Sequence, residues 1–445
     1  LTVADGPTRV SARIAGHGSG LSGVTEAPAG TAFVVPAVDV YGDDPVTATA
    51  TLGLQWATAA HVLEGTDLTQ LVADAQQAVT DATNAAALVK ARDFGTVADF
   101  AANNEATVGG FVEVFGGAYR DPRAFTVFEI VPDGTGTEDG WSYKELAAPS
   151  VLQGKNLFPG GIVRPEQFGR PATGDASAAI NAADAFVHNE DQSEEGKYRL
   201  VVRGEYEVDD TVVIQSAFPV LDGKLTKLLD NNPALILRGV GNGGKLRRLV
   251  GRLKVEHSGK PSIAQTTADA IHLDNFLNVN ASAFNLRTGP CAHGIRNLHD
   301  VGPGLSWGFS WGDAYLRACA HGFIYWDSPG AGSNTGAWWG RIYLSGYDDA
   351  GNMDPLYGAG DACLLKNWHG FNVRNFHLEW VEIDGGKPFI KCNEQTNLNI
   401  EHFHGEGFSQ RDDVHQEIFQ VTTGPTDKRA TIDVRKCSVA AINKE

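Results

Sequence analysis

Two short stretches near the C-terminus repeat one pattern of residues that could do chemistry. The stretch VRNFHLE begins at residue 373, and the stretch IEHFHGE begins at residue 400. Each holds a histidine followed two positions on by a glutamate: His377 with Glu379, and His404 with Glu406. If the fold stacks the two stretches, the two carboxyl groups lie close together. Glycoside hydrolases use such a pair of carboxyl groups, so we take Glu379 and Glu406 as catalytic candidates.

The same residues have other interpretations. Like charges one strand apart repel, so one carboxyl would keep its proton to higher pH and could serve as an acid beside an ionised partner. A lyase would instead need a base and a cation near the sugar, and the sequence does not separate lyase from hydrolase. The alternative is that both glutamates are solvated surface residues of the coils. The histidine pair supplies only two ligands, fewer than a zinc site uses, so we predict no metal and no cofactor.

Aromatic residues near the glutamates favour a sugar-binding surface. Seven tryptophans lie between residues 307 and 380, and the C–H faces of sugars pack well on exposed indole rings. Trp338 and Trp339 are adjacent, so on a strand one of them must face outward. We therefore take Trp307, Trp338 and Trp339 as candidate substrate-binding residues, together with His377 and His404.

Acidic residues in a neighbouring loop extend this candidate site. Asp348 and Asp349 lie in the stretch GYDDAGNMD, which is rich in turn-forming residues. Carboxylates hydrogen-bond well to sugar hydroxyls, so Asp348 is a further substrate-binding candidate and Asp349 a third catalytic candidate. The alternative is that both are ordinary turn residues.

The spacing of the repeats indicates the element that must position these residues. The sequence CAHG occurs at residues 291–294 and again at 319–322, almost the same offset as that between the two histidine stretches. Echoes of about 20 to 30 residues are typical of folds that stack equivalent coils, and a parallel β-helix stacks them about 4.8 Å apart. The pattern predicts that Val373 and Ile400 are stacked neighbours pointing inward, while the histidines and glutamates point outward.

Four segments follow one another along the 445 residues. Residues 1–62 indicate a β-rich attachment arm or domain. Residues 63–95 contain an apolar seam with heptad steps, from Leu68 to Val89, which predicts a helical, coiled-coil-like oligomerisation segment; a helix lying on its own domain is the alternative. Residues 96–158 alternate apolar and polar positions between glycine turns, which predicts a small antiparallel β module. Residues 159–445 hold the repeats.

The start of the last segment resembles the opening of the pectate-lyase-like β-helix of bacteriophage tailspikes and tail fibres. The resemblance rests on four stretches between residues 160 and 245: VRPEQFG, GDASAAINAA, LVVRGEYEV and LILRGVGNGG. In that family an extended Pro-Glu-x-Phe-Gly segment leads to a Gly-Asp turn, and a helix then caps the open end of the β-helix. Here the apolar stripe of that helix runs from Ala176 to Val187, and Asp175 or Ser177 would cap it.

This resemblance implies a mainly β fold: a right-handed, single-stranded parallel β-helix with an N-terminal capping helix, preceded by the small β module and the helical segment. It also implies a homotrimer that joins phage tail or baseplate proteins through its N-terminal part and attaches the virion to a bacterial surface polysaccharide, with or without depolymerising it. Its location would be the virion tail, acting at the bacterial surface after assembly in the host cytoplasm. A non-catalytic receptor-binding fibre and a structural tail fibre are the alternatives.

The composition argues against several other classes of function. Lys and Arg number 36 against 54 Asp and Glu, a formal net charge of −18. Because phosphate binding needs a basic surface, we expect no nucleic-acid partner. No apolar run is long enough to span a bilayer, so no membrane insertion is expected. The five cysteines lack the spacing of a disulfide framework or a zinc ribbon, which indicates buried free thiols.

Overall fold

The computed structural model contains two compact units, Leu1–Val79 and Thr80–Glu445. The residues it describes are 14–15, 25–26, 76, 94–102, 108–148, 151–190, 197–240, 243–298, 308–327, 338–357, 361–366, 371–383, 388–393, 396–407, 409–410, 417–422 and 430–440. In the first unit, strand β1 (Ile14–Ala15) pairs in parallel with strand β2 (Thr25–Glu26). Nearly all of the predicted attachment arm (1–62) and helical segment (63–95) lies outside the described residues, so both stay predictions.

A small antiparallel sheet precedes the parallel strands of the second unit. Its described strands are β3 (Phe111–Val114), β4 (Thr126–Pro132), β5 (Tyr143–Glu145) and β6 (Leu152–Asn156). These four strands pair in the order β3–β4–β6–β5. Helix α1 (Val97–Ala101) buries Phe100, whose ring stacks on Phe128 of β4 at 4.7 Å. The antiparallel β module predicted for this part of the chain is therefore present.

Two long parallel sheets contain most of the other described strands of the second unit. Among the described residues, the larger sheet has twelve strands. They are β7 (Ile162–Val163), β8 (Arg199–Val208), β10 (Val220–Lys227), β12 (Arg248–His257), β14 (Asn280–Thr288), β16 (Ser310–Trp311), β17 (Ala314–Arg317), β19 (Trp338–Ser345), β21 (Phe371–Glu379), β24 (Asn397–Glu406), β27 (Thr431–Val434) and β28 (Cys437–Ala440).

In the part of the chain that the structure describes, the second parallel sheet has eight strands. They are β9 (Val212–Ile214), β11 (Leu235–Arg238), β13 (Ile271–Asp274), β15 (Cys291–Leu298), β18 (Cys319–Asp327), β20 (Cys363–Lys366), β23 (Ile390–Asn393) and β26 (Phe419–Thr422). Two further short strands, β22 (Glu382–Ile383) and β25 (Ser409–Gln410), pair with each other in parallel. The described chain alternates between the two sheets, and the strand pairings within them are parallel. One pass through both sheets is therefore one coil of a parallel β-helix.

The register of the strands confirms the predicted repeat. Val373 pairs with Ile400 and Phe376 with Phe403, and all four side chains are buried. Cys291 likewise pairs with Cys319, as the CAHG echo predicts. Equivalent apolar residues therefore stack on one another along the inside of the β-helix, which fixes the outward direction of the residues between them.

The cysteines follow the same stacking. Cys291, Cys319, Cys363 and Cys392 are buried free thiols, as predicted, and the sulfur atoms of Cys291 and Cys319 lie 3.5 Å apart. Cys437 is free but exposed, so the prediction is wrong for that residue. It lies on the last strand of the larger sheet, β28, beside β24.

A helix closes the N-terminal end of the core, as the resemblance implied. Helix α2 (Ser177–Glu190) packs against β8, β9 and a 3-10 turn at Pro165–Phe168. Its apolar stripe, which includes Ile180 and Val187, is buried in the core of the β-helix. Asp175 caps the helix, because its Oδ1 atom accepts hydrogen bonds from both the backbone N–H and the hydroxyl of Ser177. Within the described part of the chain, no helix is long and apolar enough to cross a bilayer.

Asp184 attaches this helix to the coil beneath it, and we expect its contribution to depend on pH. Its carboxylate accepts hydrogen bonds from the backbone N–H groups of Gln215 (3.0 Å) and Ser216 (3.1 Å). Burial nevertheless raises the pKa of Asp184 to about 6. The folded protein therefore holds the proton of Asp184 more tightly than the unfolded chain does. Protonation of Asp184 favours folding below about pH 4, and this stabilisation is lost as pH rises to about 6.

The test compares the wild type with Asp184→Asn, which cannot titrate. Relative to the variant, the wild type should lose on the order of 2–3 kcal/mol of unfolding free energy between pH 4 and pH 7. Chemical denaturation at both pH values measures this difference. If the difference in unfolding free energy between the two proteins is the same at both pH values, Asp184 keeps its ordinary pKa.

Candidate functional site

The stacked coils bring the repeated histidines and glutamates together on the outer face of the larger sheet. His377 of β21 pairs with His404 of β24, and Glu379 pairs with Glu406. The two imidazole rings are 4.8 Å apart, with 39° between their planes. Because the flanking residues Phe376 and Leu378 are buried, these four side chains point away from the core, as the sequence predicted.

Glu406 lies against both imidazoles. Its two carboxylate oxygens are each 3.6 Å from one ring nitrogen, Nε2 of His377 and Nε2 of His404. Burial, and next the charge of His404, lowers the pKa of His377, while Glu406 opposes that shift. Burial, and next the charge of Glu406, raises the pKa of Glu379, while Arg317 opposes it. The cluster is thus half-buried and electrostatically coupled.

The histidines continue a longer stack of rings. Tyr315 and Tyr343 pair in register and stack at 4.3 Å with 7° between their planes. Tyr343 in turn stacks on His377 at 4.7 Å and 15°. We call Tyr315, Tyr343, His377 and His404 the aromatic column. Ser438 of the next strand pairs with His404 and extends the column by one coil.

A second column of polar residues runs beside the first. It comprises Asp313, Arg341, Asn375, His402 and Lys436, and we call it the polar column. Arg341 forms an ion pair with Asp313 (2.7 Å), and the Lys436 ammonium lies 3.1 Å from the His402 ring. The two columns line one open groove with a volume of about 530 Å³.

Sequence reasoning missed most of this groove. Among its residues the sequence predicts only His377 and His404. A signal was available, because Tyr315 and Tyr343 have the same offset along the chain as the two CAHG stretches. The polar column was visible in the same way, since Asn375 and His402 have the offset of the two histidine stretches.

The two loop aspartates hold their own loop in place. Asp349 forms ion pairs with Lys254 and with Arg317, the latter at 3.3 Å. The Oδ1 atom of Asp348 accepts backbone N–H bonds from Ala350 (2.9 Å) and Asn352 (2.7 Å), and such bonds from Asn352 lower its pKa. These contacts match the turn-residue alternative. The contacts therefore do not support a catalytic role for Asp349 or a substrate-binding role for Asp348.

The tryptophan candidates separate into three cases. Trp339 is 2% exposed and stacks on Trp311 at 5.2 Å within the core. A buried indole cannot contact a polysaccharide, so its assignment as a substrate-binding residue is wrong. Trp338 is 57% exposed on the same strand, as the alternation along a strand requires, but it does not line the groove. Trp307 lies outside the described residues.

Comparison with known proteins identifies structural neighbours only. No protein-family model matches the sequence, and no curated protein matches it. The enzymatically active domain of tailspike protein 2 of bacteriophage CBA120 is similar over 78% of this chain and 56% of its own, with 11% identity and a TM-score of 0.46. The tailspike protein of Acinetobacter baumannii phage AM24 is similar over 78% of this chain and 67% of its own, with 10% identity and a TM-score of 0.38.

A third neighbour is a bacterial protein. Pantoea stewartii WceF, described as a glycan biofilm modifying enzyme with a bacteriophage tailspike-like parallel β-helix fold, is similar over 74% of this chain and 50% of its own, with 11% identity and a TM-score of 0.34. This chain therefore spans about half the length of two of these three neighbours. All three are tailspikes or carry a tailspike-like fold.

Proposed function

We propose that this protein is a tailspike-type receptor-binding protein, and that the groove between the aromatic and polar columns binds a bacterial surface polysaccharide. The observation that carries the proposal is the shape of the groove. Its lining comes from five neighbouring strands, β17, β19, β21, β24 and β28, and from residues next to them. Four strand spacings amount to about 19 Å, which suits a linear polymer better than a compact small molecule.

The chemistry of the lining supports the same ligand class. Stacked rings cover one another's faces, so the aromatic column offers mainly its polar edges, the tyrosine hydroxyls and imidazole nitrogens. The polar column adds a guanidinium, an amide and an ammonium group. Each of these groups hydrogen-bonds to sugar hydroxyls, and Arg341 and Lys436 also suit the carboxylates of acidic sugars.

The biological setting forms part of this proposal. The resemblance between residues 160 and 245 supports three elements of this setting. They are attachment of a virion to its host, joining to tail proteins through the N-terminal part, and location in the virion tail. Homotrimeric assembly rests on the same resemblance and on the apolar seam from Leu68 to Val89, and it stays a prediction.

Tyr343→Ala should weaken polysaccharide binding. Tyr343 stands in the middle of the aromatic column, between Tyr315 and His377. Truncating a central aromatic side chain of a binding surface costs about 1–2 kcal/mol, which corresponds to roughly a tenfold loss of affinity. The measurement is binding of the full chain to immobilised surface polysaccharides purified from a panel of bacterial strains.

Tyr325→Ala is the matched control, because Tyr325 is half-buried on β18 of the other sheet, against His293 and Arg296. We expect this variant to bind as the wild type does. Equal losses in the two variants would place the binding surface elsewhere. A wild-type protein that binds none of the polysaccharides would contradict the proposal as a whole.

Cleavage of the bound polysaccharide is a second candidate function, favoured by one observation. Glu379 and Glu406 are directly paired beside two residues of the groove, His377 and His404. Carboxyl groups in such a pair are what glycoside hydrolysis requires, although a lyase stays an alternative. Release of reducing sugar from the bound polysaccharide separates binding with cleavage from binding alone.

A further inference from the structure

Three potential metal-ligating atoms converge at one end of the aromatic column. The Nε2 atoms of His377 and His404 and a carboxylate oxygen of Glu406 lie within 4.8 Å of one another. Each nitrogen is 3.6 Å from its nearest Glu406 oxygen, slightly longer than a hydrogen bond. Ligands about 2.0–2.2 Å from a tetrahedral zinc ion are about 3.3–3.6 Å apart, so small side-chain movements suffice to bring the three atoms onto one ion.

Neighbouring residues hold both rings in a suitable orientation. The Nδ1 atom of His404 lies 2.7 Å from the hydroxyl oxygen of Ser438. A hydrogen bond donated from Nδ1 to that hydroxyl leaves the lone pair on Nε2, the atom that faces Glu406. The ring of His377 is held between the rings of Tyr343 and His404. Partners that orient metal-binding imidazoles in this way are a regular feature of metal sites.

One ring nitrogen of the cluster lacks a hydrogen bond within the described part of the chain. Among the described residues, the buried Nε2 atom of His377 has no hydrogen-bond partner. A buried polar atom without a partner costs free energy, and a bound cation would remove that cost. The arrangement of two nitrogens and one carboxylate around a shared centre is a donor set that divalent transition metals prefer.

We propose that His377, His404 and Glu406 form a binding site for a divalent transition-metal ion of the Zn²⁺ type. Two imidazole nitrogens disfavour Ca²⁺ and Mg²⁺, which take oxygen ligands. Three protein ligands leave at least one coordination position for another group. The site goes beyond polysaccharide binding and does not depend on it.

The proposed site differs from the prediction of no metal, which counted only the two stacked histidines as ligands. Glu406 supplies the third ligand from the same strand as His404. Residues two apart on a strand share a face, so the two side chains meet outside the core. His377, the register partner of His404, then completes the set from the neighbouring coil.

The direct test is titration of the full chain with ZnCl₂ after dialysis against a chelator. We expect saturable binding of one zinc ion per chain by isothermal titration calorimetry. We also expect a higher thermal midpoint in the presence of zinc, because a ligand that binds only the folded state stabilises it. Absence of saturable binding in the wild type would overturn the proposal.

Variants locate the site. His377→Ala, His404→Ala and the nearly isosteric Glu406→Gln should each lower zinc affinity by at least about tenfold, and Ser438→Ala should lower it by about tenfold through loss of ring orientation. His402→Ala is the matched control, since His402 is on the same strand but contacts Lys436 and the backbone of Arg374 instead. It should bind zinc as the wild type does.

Melting curves of the metal-free variants show whether each is folded, and Glu406→Gln changes the shape of the chain least. Unchanged zinc affinity in folded Glu406→Gln and His377→Ala would overturn the site. An equal loss in His402→Ala would also overturn it, because zinc would then be held by surface histidines in general.

Discussion

Trp339→Ala is expected to lower the free energy of unfolding by about 3–5 kcal/mol, the cost of removing a large aromatic side chain from a packed core. The indole of Trp339 is fully inside the β-helix, where it stacks on Trp311 and meets the ring of Phe309 edge-on at 6.1 Å. Since neighbouring coils above and below hold the surrounding residues in register, the core cannot collapse easily into the cavity.

The adjacent residue gives an internal control. Trp338 is exposed on the opposite side of the same strand, so Trp338→Ala should change stability by less than about 0.5 kcal/mol. Chemical denaturation followed by circular dichroism compares the two variants with the wild type. A larger loss in Trp338→Ala would mean that the strand faces the other way. Similar losses in both variants would contradict the assignment of Trp339 to the core and Trp338 to the surface.

The coil-to-coil register could be predicted because the inside of a β-helix repeats. Val373 and Ile400 stack as the echo between the two histidine stretches requires, and the helix at Ala176 to Val187 caps the core as its apolar stripe indicated. A shift of one residue in the strand pairing would move the apolar side chains to the outer face. The pattern of apolar residues in the sequence therefore determines the register.

The direction of Trp339 was hidden by an irregular offset. Trp339 pairs with Val373 and Tyr343 pairs with His377, and both pairs are further apart along the chain than the partners of the CAHG and histidine echoes. This coil is longer than the coils that produce those echoes because it includes the loop that holds Asp348 and Asp349. A search of the sequence for repeats at a constant spacing therefore does not align Trp339 with Val373 or Tyr343 with His377. It misses both the burial of the Trp339 indole and the continuation of the aromatic column past this loop.

The third ligand of the proposed metal site could be predicted only in part. Alternation along β24 places His404 and Glu406 on one face, and this much follows from the sequence. Whether the Glu406 carboxylate turns back toward both imidazoles or extends into solvent depends on side-chain rotamers, which residue spacing does not determine. The ion pair between Asp349 and Lys254 was unpredictable for another reason, because the two residues lie far apart in the sequence.

Glu379→Gln is expected to lower the release of reducing sugar from a bound polysaccharide by at least about 100-fold, if the groove cleaves its ligand. Removal of a carboxyl group that transfers a proton costs about 10²–10⁴ in rate. The substitution keeps the size of the side chain and its place opposite Glu406. Polysaccharide affinity should stay close to that of the wild type, since glutamine keeps the size of the side chain and can still hydrogen-bond to sugar hydroxyls.

Glu401→Gln is the control, because it makes the same change at an exposed position of the neighbouring strand β24. It should leave both binding and sugar release unchanged. A wild type that binds polysaccharide but releases no sugar would exclude cleavage and leave receptor binding as the function of the groove. Sugar release that persists in Glu379→Gln would instead mean that other carboxyl groups carry out the reaction, so the paired glutamates would not be catalytic.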